Sequence, residues 1–372
     1  MYNTDLTILL TTKGRDLFTL RWLWYANAIK LPYHIYIADG QPNDIIVKIL
    51  ADKNNFPNIS YQHELYNDAG YKEYYRKIEH ALNKINTKYV MLSDNDDFLL
   101  PEGIARSISF LNFNESFVGA SGRVGFFYVS PNMKKSSNNL FGSPKYIFPE
   151  QGGYAPRNIE DVKAAERIKR ATDFYNVTYY SVFRTNALHN AATENADICF
   201  NSLLSTELFF HLRVLCAGSV YFDKNSSSYI RQLGTSAGDG GEDIFHELVS
   251  SRLSEDYTNL IRSIIQDSSI EVSEKLIVEK NINIFLEKYI KNRIIAQLSH
   301  EKTLHNKSRI LFRKIMAFIL PSYKDILWKY RRSREVKMSG QIENKNDLIT
   351  VETCLNNPAL KEFLLLSGLP KE

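Results

Sequence analysis

Cysteine is scarce: three residues in 372, at 199, 216 and 354. So few, so scattered, exclude a disulfide framework and a cysteine-built zinc site, and they suit a reducing cytoplasm. Long apolar runs are also lacking. No stretch approaches the roughly 18 uncharged apolar residues of a membrane span. The first apolar run, Leu6 to Leu10, has no basic segment before it and is cut by Thr11, Thr12 and Lys13, so no signal peptide is expected here. The eight histidines show no metal-binding spacing. Neither a Gly-x-Gly-x-x-Gly turn nor a phosphate-loop Gly-Lys-Ser/Thr signature occurs, and no Ser/His/Asp arrangement can be assigned.

What is present is ordinary for a soluble globular chain: 44% hydrophobic and 24% charged residues. That excludes a mostly disordered protein and supplies core for one large α/β domain with a smaller addition, or for two modest domains. Aromatics reach 12%, with 22 Tyr and 21 Phe, enough for aromatic-lined clefts. The net charge of +4 is unevenly spread. Between 301 and 338 eleven Lys/Arg face three acids, a local net of +8, so the rest of the chain is mildly acidic.

The first half alternates strand and helix signals. Strands are expected at 6–10, 34–38, 58–63 and 88–92, and helices at 17–29, 44–50, 71–85 and 101–111. This βαβαβαβ pattern implies a mostly parallel sheet flanked by helices on both faces. Ligands in such sheets lie beyond the carboxyl ends of the strands. Thr11 to Arg15, Asp39 and Asp94 to Asp97 all fall at such ends, so they should converge on one crevice. Further on, 126–129, 177–183, 219–222 and 229–230 read as strands, and 161–171 and 203–215 as helices. Residues 130–158 and 234–241 read as loops rich in Gly and Ser, and helical patterns dominate from about 242.

Asp94-Asn95-Asp96-Asp97 is the sharpest local signal. Three carboxylates within four residues at the end of a buried strand repel one another, and a cation relieves that cost. Hard oxygen donors suit Mg²⁺ or Mn²⁺, with a diphosphate completing the shell. The bland alternative is an acidic turn that caps the following helix.

Residues 5 to 231 resemble bacterial GT-A glycosyltransferases of the family-two type. The likeness is carried by Thr7-Ile-Leu-Leu-Thr-Thr-Lys-Gly-Arg15, Ile35-Tyr-Ile-Ala-Asp-Gly40 and Lys88-Tyr-Val-Met-Leu-Ser-Asp-Asn-Asp-Asp-Phe98. The last stretch looks like a subgroup whose fourth strand ends in Asp-Asp-Asp-Phe, preceded by a helix with basic and aromatic residues, as in Tyr74-Tyr75-Arg76-Lys77. The resemblance implies that Thr11, Thr12 and Arg15 line a nucleotide pocket and that Asp39 hydrogen-bonds the base. Arg76 or Lys77 would neutralise the diphosphate. Asp94 would lie near the ribose and the metal, Asp96 would ligate the metal, and Asp97 would stand behind it or on the acceptor side. Two registers fit, because Asn95 stands where relatives hold Asp, and Asp96 is common to both.

Sugar transfer with inversion, usual in the family, needs a base for the acceptor proton. In related enzymes this is an acid at the start of a helix, which points to Glu207 ahead of Asp173 and Asp239. Arg231, at the start of the Gly-rich segment, could clamp phosphate. The 301–338 arm sets Arg309, Arg313 and Lys314 beside a face of Leu311, Phe312, Ile315, Phe318 and Ile319. This pattern suits anionic lipid or, equally, a helix packed on the catalytic domain with a basic outer face, and suits nucleic acid poorly.

The expectation is a GT-A domain over 1–245, a helical extension over 246–300, the basic arm over 301–338 and a tail over 339–372. Its implied activity is metal-assisted transfer of a sugar from a nucleotide donor to a saccharide or lipid-linked acceptor, in bacterial surface-glycan assembly at the inner face of the cytoplasmic membrane. Two alternatives stay open. One is a sugar nucleotidyltransferase, against which the single Gly14 speaks. The other is a catalytically degenerate binding module.

Overall fold

The structure, a computed structural model, describes residues 5–129, 140–148, 157–173, 178–233, 251–300 and 345–369. The expected basic arm at 301–338 and the Gly-rich segment at 234–241 lie outside the described residues, as does most of the expected 130–158 loop.

The four βα repeats form as the periodicity predicts. They are β1 (Leu6–Thr12), α1 (Asp16–Ala28), β2 (His34–Asp39), α2 (Asp44–Ala51), β3 (Ser60–Leu65), α3 (Tyr71–Lys84), β4 (Tyr89–Ser93) and, after the two-residue β5 (Phe98–Leu99), α4 (Pro101–Phe113). Then follow β6 (Phe117–Tyr128), β7 (Lys145–Ile147), α5 (Ala164–Asp173), β8 (Val182–Arg184), α6 (Thr185–Ile198), α7 (Leu203–Ala217) and β9 (Ser219–Gln232). Four further helices complete the described chain: Ser251–Gln266, Lys275–His300, Lys345–Leu355 and Pro358–Leu366. No helix among the described residues is long and apolar enough to cross a membrane.

One sheet runs in the order β3-β2-β1-β4-β8-β6-β9-β5, with β7 on β6. Its first half is parallel. The second half is mixed: β8 is antiparallel to both β4 and β6, β9 is parallel to β6, and β5 is antiparallel to β9. The parallel strands are buried on both faces, hence their near-continuous apolar sequence. Leu6, Ile8 and Leu10 face a core shared with α1, α2 and α4. Leu9, Val90 and Leu92 face Ile78, Ala81 and Leu82 of α3 and Leu188 and Ala191 of α6.

Two departures from the sequence reading matter for the site. The strand expected at 177–183 is shorter, because Thr178 to Ser181 forms a turn closed by Ser181 N–H to the Thr178 carbonyl (2.9 Å). The two short strands expected around 219–230 are one 14-residue strand, β9.

Helix α1 is buried on nearly all sides, including Arg21 and Trp22. Such a helix needs cover on its outer face, and the two C-terminal helices provide it. Phe363 packs on Trp24 at 5.2 Å between ring centroids. The other pair, Ser251–Gln266 and Lys275–His300, packs on α5 and α7 through Leu260, Ile264, Ile282 and Phe285.

Candidate active site

The ladder registers bring the strand ends level. Thr12 pairs with Asp39 across β1 and β2, and Leu10 pairs with Ser93 across β1 and β4. The loops that follow therefore open on one crevice. After β1 the chain turns sharply through two left-handed residues, Gly14 (φ 63) and Arg15 (φ 57). For Arg15 that conformation costs about 1 kcal/mol. It is held by the Asn95 side-chain amide, which donates to the Arg15 carbonyl (3.2 Å) and to Thr19 Oγ1 (3.0 Å). Asn95 thus clamps the β1–α1 turn.

Around that clamp the three acids gather. One carboxylate oxygen from each of Asp94, Asp96 and Asp97 lies within 4.8 Å of the other two. Each has its own partner. Arg15 Nη1 donates to Asp96 Oδ2 (3.2 Å). Tyr180 Oη donates to Asp94 Oδ2 (3.1 Å), and the Asp94 N–H donates to Tyr229 Oη (3.0 Å). The Gln232 N–H and Arg231 Nε donate to the two oxygens of Asp97 (2.8 and 3.4 Å). The Arg231 guanidinium also lies over the Tyr180 ring at 4.8 Å, and Tyr180 stacks on Tyr229 at 4.2 Å.

Burial and crowding set the electrostatics. Burial, then the charge of Asp96, pushes the Asp94 carboxyl up to about 6, against the pull of Arg231 and Tyr180. Burial pushes Asp97 well above the usual carboxylate range, with Asp96 adding to it and Arg231 opposing. Burial likewise raises Tyr180 and Tyr229 well above 10, so both keep their hydroxyl protons at neutral pH. Three converging, mostly buried carboxylates with hard oxygen donors form a set that fits a divalent cation.

On the β2 side, Asp39 is nearly fully buried. Its oxygens are met by the Gln41 N–H (3.2 Å) and by His63 Nε2 (3.0 Å). Asp16, which accepts from the Asn43 side chain, is pushed up to about 6 by burial and then by the charge of Asp39. Lys77, expected at the diphosphate, is instead buried. Its amine donates to Asp68 Oδ2 (2.6 Å) and to the Thr12 carbonyl (2.9 Å), fixing the end of β1 to the loop before α3. Arg76 points elsewhere on α3. It is exposed and lines a polar cavity of about 400 Å³ with Lys72, His80 and Asp197.

Glu207 lies in α7, whose first turn is capped by Ser202 Oγ accepting from the Ser205 N–H (3.1 Å). Glu207 is exposed. Its charge is among those that raise Asp94 and Tyr179, and Phe210, three residues further along α7, meets the Tyr179 ring edge-on at 6.3 Å between centroids.

Sequence reasoning missed Arg21, Tyr180, Tyr229, Gln232, Asp68 and His63. Arg21 had a usable signal: a lone cation amid Leu20, Trp22 and Leu23. It is fully buried beneath the acid turn and donates to the Asp96 carbonyl (2.6 Å) and to Gln232 Oε1 (2.8 Å). Burial lowers its pKa to about 10, which leaves it charged at neutral pH.

No family model matches the chain, and no curated protein does. Solved structures do. S. aureus TarS 1-349 in complex with UDP-GlcNAc superposes with a TM-score of 0.52 at 14% identity, over 90% of this chain and 93% of that one. The same fragment in complex with UDP gives 0.50 at 12% identity, over 91% and 94%. The chain has a GT-A fold. Of the longer S. aureus TarS chain it spans 41%, with 73% of its own length matched, 14% identity and a TM-score of 0.46.

Proposed function

We propose that the protein is a metal-assisted glycosyltransferase that moves a sugar from a nucleotide-sugar donor to a saccharide or lipid-linked acceptor. The observation that carries this reading is the acid triad, with Arg15 and Arg231 upon it, at the level ends of parallel strands in a GT-A fold. The UDP-GlcNAc held by a protein of that fold supports it. Thr11, Thr12 and Asp39 line the nucleotide side, with Asp39 toward the base. Asp96 and Asp94 would hold Mn²⁺ or Mg²⁺, which would supply positive charge to the leaving diphosphate. Arg15 and Arg231 carry the remaining neutralisation, since Lys77 is committed to Asp68.

In the transfer, the bond from the anomeric carbon to the diphosphate oxygen breaks and its electron pair leaves with the nucleoside diphosphate. The acceptor oxygen forms the new bond from the opposite face. Its proton passes to the Glu207 carboxylate, and Asp97 stays behind the metal ligands. Tyr180, held protonated, orients Asp94. In the same reading the acceptor belongs to a bacterial surface glycan, and residues 301–338 meet an anionic membrane from the cytoplasmic side, on the strength of their net charge of +8.

A thermal-shift panel of UDP, GDP, CDP and dTDP, with and without Mn²⁺, tests the donor site, because binding to the folded state raises its melting temperature. The expected result is a Mn²⁺-dependent shift with one nucleotide that disappears in Asp96→Ala. A flat response to every nucleotide would overturn the reading.

A further inference from the structure

We infer that Asp256, in the helix Ser251–Gln266, is a positioning residue for the acceptor side of the site: it fixes the turn that starts α7 and, through it, Glu207. The inference rests on the reading of Glu207 as the base.

The Asp256 carboxylate is 1% exposed, yet it makes no ion pair among the described contacts. Its hydrogen bonds go instead to one backbone turn. Both oxygens accept from the Asn201 N–H (3.0 and 3.0 Å). Oδ1 also accepts from Asn201 Nδ2 (2.8 Å), and Oδ2 accepts from the Ser202 N–H (3.1 Å). Charge-assisted bonds of this kind are roughly twice as strong as neutral ones, and an anion is favoured at a helix N-terminus. The buried charge is thus offset by bonds that specify where α7 begins.

Ser202 is the hinge of the arrangement. Its N–H is held by Asp256, its hydroxyl caps Ser205, and its carbonyl accepts from Tyr75 Oη of α3 (3.2 Å). At the far end of α7, Arg167 donates to the carbonyls of Leu215 (2.7 Å) and Cys216 (3.1 Å). The helix is pinned at both termini. Glu207, five residues beyond Ser202 and three before Phe210, whose ring meets Tyr179 at 6.3 Å beside the Tyr180 that holds Asp94, takes its position from that start. Helix rise is about 1.5 Å per residue, so a one-residue slip of the first turn would move the carboxylate by more than the roughly 1 Å that matters to a reacting group. Tyr257, Leu260 and Ile264 supply apolar packing beside it, and the carboxylate adds the bonds that fix the turn.

The test compares wild type with Asp256→Asn, Asn201→Ala, Glu207→Gln and Asp256→Asn/Glu207→Gln. The readouts are release of nucleoside diphosphate from UDP-GlcNAc and GDP-mannose in Mn²⁺ buffer with water as acceptor, affinity for the corresponding nucleoside diphosphate, and amide hydrogen exchange over 201–207. Asp256→Asn turns acceptor oxygens into an amide that confronts N–H donors. It should slow release by about tenfold or more, speed exchange over 201–207, and leave nucleotide affinity within about twofold of wild type, a change of under about 0.5 kcal/mol. In the Glu207→Gln background it should cost nothing further, since two residues acting through one group are not additive. Asn201→Ala, which removes only the side-chain bond, should show the same pattern more weakly and serves if Asp256→Asn fails to fold. Release that falls in Glu207→Gln but not in Asp256→Asn or Asn201→Ala would overturn the positioning role alone. An equal loss in the Glu207→Gln background would also overturn it. Release unmoved by Glu207→Gln would overturn the base reading first, and this role with it.

Discussion

The Gln232 backbone N–H donates to the Asp97 carboxylate at 2.8 Å, across 135 residues of sequence. That bond, next to the pairing of Phe98 with Ile230, draws the end of β9 over the acid turn and delivers Arg231 to it. Arg231 therefore belongs to the site by backbone architecture and not by the reach of a long side chain. If it clamps the diphosphate, Arg231→Ala should weaken the nucleoside diphosphate by about tenfold, roughly 1.4 kcal/mol. Mn²⁺ alone, measured calorimetrically at pH 8, should bind no more weakly, because a neighbouring positive charge has been removed. Weakened Mn²⁺ with unchanged nucleotide would reassign Arg231 to holding the acid turn.

Protons and metal compete for the triad. The carboxyl of Asp94 is raised from 3.8 to about 6, so the metal-free folded state holds a proton there that the unfolded chain has released. Between those values stability falls as pH rises, since the folded state binds more protons. Asp97 is shifted in the same direction. A divalent cation reverses the preference, because its ligands must be ionised. The melting-temperature gain from Mn²⁺ should be small at pH 5 and grow through pH 6 to 8. Asp94→Asn should flatten that rise. A gain independent of pH would mean that the cation sits away from these carboxylates.

The first four βα repeats were legible because their signals are local: runs of apolar residues, helical spacing, and polar residues at each strand end. The acid turn was legible for the same reason. What stayed hidden depends on distant pairing. β5 is two residues long and carries no period of its own, and it exists because β9 lies beside it. Tyr180 sits in a stretch that reads as strand, yet the Thr178–Ser181 turn is what aims its hydroxyl at Asp94. Lys77 carries a cation's letter in a helix expected near phosphate, and only the fold reveals that Asp68 lies against it. The mixed half of the sheet and the burial of α1 beneath the C-terminal helices are likewise consequences of long-range packing.

Gly103 gives a test of how tightly α4 lies on β9. Replacing a helical glycine by alanine ordinarily gains about 1 kcal/mol. Here a Cβ would stand 2.1 Å from the Ser227 carbonyl oxygen and 2.5 Å from its carbon. Both are backbone atoms of a paired strand, which cannot rotate away, and overpacking of this kind costs about 1–3 kcal/mol or more. Gly103→Ala should therefore lower stability by about 2 kcal/mol in denaturant unfolding. A stabilised variant would show that α4 stands off the sheet.

Arg21 is the strongest case of a residue whose removal should reach the site without touching a ligand. Its guanidinium bridges the Asp96 carbonyl and the Gln232 side chain, and lies over the Phe18 and Phe98 rings at 4.7 and 4.9 Å. It joins α1, the acid turn and the end of β9 at one buried point. Arg21→Leu fills some of the volume but leaves two buried acceptors without donors, so a loss of about 2–4 kcal/mol is expected. The chain should still fold if its stability is typical. Its Mn²⁺ affinity should then fall by about tenfold or more, the scale on which groups behind metal ligands act. Arg21→Lys retains the charge but not the fork that spans both acceptors, and should fall between the two. The decisive comparison is Mn²⁺ affinity, measured well below the melting temperature of each variant. If Arg21→Leu is destabilised while Mn²⁺ binds as in wild type, the guanidinium holds the fold together but does not shape the acid turn.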